Sequence, residues 1–435
     1  MARSALDIAI ASKNWDKLVA AIEADDNPAA AVQRAEPTIA HWPDDRRELA
    51  IELWRELASG AEPPPWLPLT RHLRLEHGDD LDGVERMPWL TSLDLTDFRG
   101  SVGQLRELPA LRWLAIGSIG IDAETLGALT QLETLRLVQP QYWIPLDELE
   151  LPPGLRALDI RHSDIATLDG LAQVPALQRL DLVDNKQLSD VAALAGLPAL
   201  EWLSIVDCTR VADLSAIAGL TGLRCLYLRG LDRLEHLPPL DRLTALRDLG
   251  LGGRELHDLG PLSALSALEG LAVYGLPRVG DLAPLGALAS LRRLGLNGLP
   301  LVADASPLGN LARLEALDLS HLDRLADLAP LASLHALRAM TLDGLPLLRS
   351  IRFIAGLPAL ENILITYCPG VDDIAPLAAA SALRYITLRD LGVRDVSPLA
   401  ALPHLQQIGI ALTPPPVGLD AFDARRTRVY NPSQR

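Results

Sequence analysis

The chain has 435 residues, nearly half of them hydrophobic (49%) but only 4% aromatic, with a formal net charge of −16. That balance argues against a phosphate backbone as ligand, which needs clustered Lys and Arg to displace counterions, and leaves a basic protein partner open. Three cysteines make no disulfide framework, and Asp7, Lys13, Asp16 and Lys17 leave no signal-peptide apolar run in the first twenty residues, so the expected setting is cytoplasmic.

Residues 1–66 read as an N-terminal helical cap. Trp15, Leu18, Val19 and Ile22 follow helical spacing, as do Ala50, Leu53, Trp54 and Leu57. Ser4 can cap the first helix; Pro43, Asp44 and Asp45 open the last, with Gly60 just past its end, and a short helix is expected near 28–35. Pro63-Pro64-Pro65 then breaks regular structure. A separate docking module is the alternative to a cap. No continuous apolar stretch approaches the roughly 20 residues a membrane span needs.

From Leu90 onward the pattern Leu-x-x-Leu-x-Leu, with Ile, Val or Met in place of the second or third Leu in eight copies, recurs fifteen times, opening at Leu90, Leu111, Leu132, Leu155, Leu177, Leu200, Leu223, Leu246, Leu268, Leu291, Leu314, Leu337, Leu360, Leu383 and Leu405. Nine of the fourteen spacings are 23 residues and the rest 21 or 22; Leu73 and Leu75 form a weaker first copy. Each frame is expected to be a short strand with its leucines inward. Eight frames then carry an Asp (Asp190, Asp213, Asp258, Asp281, Asp304, Asp327, Asp373 and Asp395), often followed by apolar, small, Pro, Leu. Such an Asp accepts from backbone N–H groups two or three residues on, and Pro suits a first helical turn, so brief helical or 3-10 turns are expected there. Much of the acidity is therefore capping.

This period and pattern resemble the leucine-rich repeat, one of the solenoid signatures. The Pro-Leu-x-x-Leu tail and short convex turn are similar to the bacterial, internalin-like class of such repeats, over roughly residues 67–412. The resemblance implies an α/β solenoid, a horseshoe or arc of about 16 repeats with parallel strands on its concave side, closed by a C-terminal cap and tail at 413–435, where Phe422 ends the last repeat and the tail frays. Two departures stand out: the turn Asn of the family occurs only at Asn185, with Leu or Cys in most of the later frames, and the export signal of secreted internalins is missing. Cys208 and Cys368 fall at that ninth position and read as buried packing, whereas Cys225 falls on a strand and can be exposed.

No nucleotide-binding Gly-x-x-x-x-Gly-Lys-Ser/Thr loop, His-Glu-x-x-His, Cys-x-x-Cys or Gly-x-Ser-x-Gly occurs, and no cysteine follows the repeats, so neither catalysis nor a cofactor is expected. The positions facing outward from the strands are third, fifth, seventh and eighth in the frame. Strands about 4.8 Å apart turn each into a ladder, and sixteen of them into an inner arc on the order of 70 Å.

Three groups break the repeat. Arg136, Asp159, Arg161, Arg179, Asp181, Asp184 and Asp207, with His162 beside them, place like charges as ladder neighbours. They are neutralised within the ladder, dock a basic partner or hold a metal. Trp202, Tyr227, Arg229 and Tyr274 flank Gly250, Gly252, Gly270 and Gly295, residue types that dominate interfaces beside a bare floor. The glycines at position eight (Gly230, Gly253, Gly275, Gly298 and Gly344) instead read as turn geometry. Tyr142-Trp143 stands in an irregular Pro-flanked loop, an exposed anchor or a fold-back over the core edge. The expected function is a non-catalytic intracellular scaffold that binds a protein partner, possibly basic, on its concave face. The alternatives are an inhibitor or immunity-type protein wrapping a basic toxin or nuclease, and a regulatory subunit of a GTPase, phosphatase or NTPase.

Overall fold

Residues four and six of a Leu-x-x-Leu-x-Leu frame share one side of a strand, and in the computed structural model that side is buried in every frame. The structure describes residues 5–12, 15–39, 64–69, 71–76, 81–117, 121–138 and 145–430. Burial continues round each layer. In the frame opening at Leu291, the residues Leu294, Leu296, Leu299, Val302, Ala305, Leu308 and Leu311 all enter the core at 3% exposure or less. The chain divides into two compact units, residues 1–181 and 182–435.

The first unit opens with helices α1 (Ala5–Ser12), α2 (Trp15–Glu23) and α3 (Pro28–Ile39). Two helices thus occupy the stretch read as one, and the helix expected near 28–35 is longer. Leu6, Leu18, Ile22 and Ala31 form a cluster with Trp66 and Leu69, and Trp66 Nε1 donates to Glu23 Oε1 at 3.0 Å. Ser4 and the helix expected around Ala50 to Leu57 lie outside the described residues. Five strands follow in parallel register: β1 (His72–Arg74), β2 (Ser92–Leu95), β3 (Trp113–Ile116), β4 (Thr134–Val138) and β5 (Ala157–Arg161). A further helix, α4 (Ala123–Ala128), replaces one turn, and Asp122 caps its N-terminus, its carboxylate accepting from Thr125 N at 2.8 Å. β6 (Arg179–Val183) carries the chain into the second unit.

That unit stacks β7 (Trp202–Val206), β8 (Cys225–Arg229), β9 (Asp248–Gly252), β10 (Gly270–Tyr274), β11 (Arg293–Asn297) and β12 (Ala316–Ser320), then β13 (Ala339–Asp343), β14 (Asn362–Thr366), β15 (Tyr385–Arg389), β16 (Gln407–Ala411) and β17 (Arg428–Tyr430). Each pairs in parallel with the next, so that one frame position lies beside the same position of its neighbour. β17 stands where the sequence pattern gives only a fraying tail. Its frame carries no leucine; Thr427 Oγ1 bonds Leu405 O at 3.0 Å and Arg428 N bonds Gln406 O at 2.8 Å, which aligns the strand without one.

Opposite the strands, all eight predicted Asp residues accept through Oδ1 from the N–H two residues on, at 2.7–2.9 Å. In each of these frames a five-residue 3-10 turn follows, such as Gly260–Ala264 or Ala329–Ser333. Position eight is left-handed at Gly230, Gly275, Gly298 and Gly344, but not at Gly253. His321, Tyr367 and Asp390 take the same conformation with side chains that rarely adopt it. Their N–H groups extend the ladder: His321 N donates to Asp343 O at 2.8 Å and Tyr367 N to Arg389 O at 3.0 Å.

Candidate partner-binding face

Outward-pointing residues of the second unit form a trough of about 540 Å³. Its floor is low because most third and fifth positions here are small: Gly270, Ala316 and Ala339 in one column, interrupted by Arg293, and Ala272 and Gly295 in the other. Larger residues wall it. Tyr227 lies at the β8 end, Tyr385 and Thr387 at the β15 end, and Tyr274 stands at the seventh-position edge. Tyr274 and Tyr385 are 48% and 44% exposed, unusual for large aromatic rings.

Three of the four floor glycines are occupied by the chain's own side chains. A Cβ at Gly250 would lie 2.7 Å from Tyr227 Cδ1, so the glycine is what lets that ring lie flat on the floor. Tyr227 in turn stacks on Trp202, with centroids 5.0 Å apart at a 39° tilt. Gly252 runs beneath the Arg229 stem, whose Cγ would be 2.9 Å from an added Cβ. Gly270 passes beneath an ion pair between the strands on either side of its own, Arg293 Nη2 to Asp248 Oδ1 at 2.7 Å. Only Gly295 of the four opens on free space, its nearest neighbour being Asp318 Cβ at 4.0 Å. Of the sequence-predicted residues, Trp202, Tyr227 and Tyr274 thus belong to this face around the trough, and Arg229 stands exposed beside it.

The charged group divides between the units. In the first, Asp159 is 8% exposed and lies between two guanidiniums, Arg136 Nε at 2.9 Å and Arg161 Nε at 2.8 Å. The hydrogen bond to Asp159 holds the Arg161 guanidinium above its ordinary pKa, with the charges of Asp159 and Asp181 adding to it against the cost of burial. Asp181 is held by Arg179 Nε at 2.6 Å. The carboxylates therefore face fixed cations within the ladder. In the second unit, Asp184 and Asp207 are left-handed turn residues. Lys186 pairs with the Asp184 carboxylate and donates to Asp207 O at 3.2 Å, a cation the column reading overlooked. His162 occupies the same kind of turn in the first unit. Tyr142 and Trp143 lie outside the described residues.

Other features carried weaker sequence signals. Tyr367 takes φ 51° at position eight with the Arg389 guanidinium 5.1 Å above its ring centroid. Tyr385 Oη donates to Gln406 Oε1 at 2.8 Å, and Tyr430 covers Gly409. All five described tyrosines therefore lie in the second unit, Tyr227, Tyr274, Tyr385 and Tyr430 at strand positions and Tyr367 at a turn, an arrangement the frame positions carry in the sequence. Position two of the frames forms an edge ladder of paired Arg and Glu, with one like-charged step at Arg224 and Arg247: Glu201–Arg224 at 3.4 Å, Arg247–Glu269 at 3.7 Å, and Arg338–Glu361–Arg384 at 3.5 and 3.8 Å. Exposed pairs of this kind contribute about 0–1 kcal/mol each, so they hold register more than stability. Cys208 and Cys368 are buried and their thiols donate to strand carbonyls, as at Cys368 Sγ to Thr366 O, 3.2 Å. Burial pushes both thiols up to about 11. Among the described residues no helix is long and apolar enough to cross a membrane.

No family model and no curated protein sequence matches the chain. Solved structures do. A leucine-rich repeat protein of Leptospira interrogans aligns over 83% of this chain and 98% of its own, at 18% identity and a TM-score of 0.58. The functional domain of InlJ from Listeria monocytogenes, which includes a cysteine ladder, aligns over 84% and 79% at 15% identity and a TM-score of 0.50. An internalin of Listeria monocytogenes matches 63% of this chain and 86% of its own at 24% identity, with a TM-score of 0.48. The chain has the leucine-rich-repeat fold of the first two. It has no cysteine ladder in the frames, since Cys208 and Cys368 stand in frames far apart.

Proposed function

We propose that this chain is a non-catalytic, intracellular protein-binding scaffold, and that its partner sits on the exposed sheet face between β8 and β16, the side expected to be concave in a leucine-rich repeat. One observation carries this reading: three of the five described tyrosines, Tyr227, Tyr274 and Tyr385, line a trough with a low floor on that face. Tyrosine supplies large contact area with few rotatable bonds, and aromatic anchors beside a pocket are where interfaces concentrate binding energy. The rigid ladder beneath them keeps the surface preformed, which reduces the ordering cost of association.

Tyr274→Ala combined with Tyr385→Ala tests it. Both rings are exposed, so the double variant is expected to melt within a few degrees of the parent and to lose at least about tenfold in affinity for a captured protein partner, the scale of a lost interface anchor. Tyr227 is the poorer choice, because its ring packs on Trp202 and Gly250 and truncation there changes the scaffold as well.

A further inference from the structure

The trough lining holds one arginine and two carboxylates, and the arginine is committed. Arg293 turns back over Gly270 to Asp248, two strands away. Asp318, on the strand beside that of Arg293, is left exposed with a hydroxyl alone: its Oδ1 accepts from Ser320 Oγ at 2.5 Å. No Lys, Arg or His nitrogen among the described residues lies within 4.0 Å of this carboxylate. The space beside it is open toward β11, because Gly295 presents no side chain, while Thr341 is its neighbour on β13 and Ala316 and Ala339 contribute only methyl groups. A charge on an apolar floor, with Tyr274 at the edge, is the complement of a side chain with an aliphatic stem and a cationic head.

We infer that this slot receives an arginine side chain from a protein segment lying along the trough, its guanidinium on the Asp318 carboxylate; this rests on the sheet face being the partner surface. The methyl floor suits the arginine stem, and the carboxylate, whose second oxygen is open, suits the guanidinium fork. The net charge of −16 makes some attraction for any basic peptide certain, so the test must separate the slot from the bulk charge.

Fluorescein-labelled peptides of about nine residues, alternating glycine with arginine, lysine or glutamate, span the trough at about 3.3 Å per residue. Their binding to the full chain is measured by anisotropy beside Asp318→Asn and Glu315→Gln. The second variant removes the same charge from the edge ladder, where Glu315 pairs with Arg292. The arginine peptide is expected to bind most tightly, to weaken about tenfold or more in Asp318→Asn, as for loss of a charge-assisted hydrogen bond, and to change less than about twofold in Glu315→Gln. Equal losses in the two variants, or no saturable binding of the arginine peptide, overturn the assignment. Peptide binding that ignores Asp318→Asn but falls with Tyr274→Ala and Tyr385→Ala removes the slot and leaves the face. Partner capture that survives the tyrosine variant removes the face itself.

Discussion

Gly250 and Gly295 stand in one column, two strands apart, and the same missing Cβ does different work at each. At Gly250 an alanine methyl meets the Tyr227 ring at 2.7 Å and must push it off Trp202. Gly250→Ala is expected to destabilise by about 1–2 kcal/mol, as overpacking does, whereas Gly295→Ala stays within about 0.5 kcal/mol. Urea denaturation of the two variants checks this, and an equal shift of both midpoints contradicts it. The cysteines offer a second contrast. A thiol held near 11 by burial carries almost no thiolate near neutrality, so Cys208 and Cys368 are expected to resist alkylation at about pH 8 until the chain unfolds, while the half-buried Cys225 reacts first. Mass mapping of the modified sites decides it. Asp318 shows the limit of reading such positions from sequence. Its column and neighbours were legible, but not that Arg293 reaches backward to Asp248 and leaves it without a cation.

At the level of the element, the Asp before each 3-10 turn is the recurrent local device. Hydrogen bonds from Ser306 hold the Asp304 carboxyl below its ordinary value of 3.8, and those from Ser397 do the same for Asp395. A depressed carboxylate pKa contributes stability that is fully present above the ordinary value and is lost as pH falls through the lowered one. The melting temperature is therefore expected to hold between about pH 7 and 5 and to drop below about pH 4. Replacing Asp304 and Asp395 by Asn keeps the acceptor and removes the titration, so the drop should become shallower; an unchanged acid limb contradicts the assignment. These turns were readable because the Asp, the small residue and the Pro lie within one local stretch. β17 was not, since Arg428–Tyr430 has no leucine and its register comes from β16, a contact between repeats. Tyr385 and Tyr367 carry little signal in the sequence for a related reason: a tyrosine in a third or eighth column means little until the small residues on neighbouring strands show what it borders.

For the whole molecule, the leucine period made the fold legible because every layer buries the same columns. The trough was less legible, arising from small residues spread over several strands and from the directions side chains take above them. The net charge belongs to this scale too. Much of the acidity sits in turn Asp residues and in the Arg–Glu edge ladder, yet −16 remains in sum, and a basic partner would be steered by it. If the chain acts as an inhibitor of a basic protein, its association rate should fall by about tenfold or more between roughly 0.05 and 0.5 M salt; a flat response leaves the aromatic trough as the source of affinity. The most direct test of the sheet face as the binding surface is capture from a lysate of the native organism, comparing the parent with Tyr274→Ala, Tyr385→Ala at matched melting temperature. The expected result is a protein retained by the parent and lost by the variant. The same protein retained equally by both would contradict it.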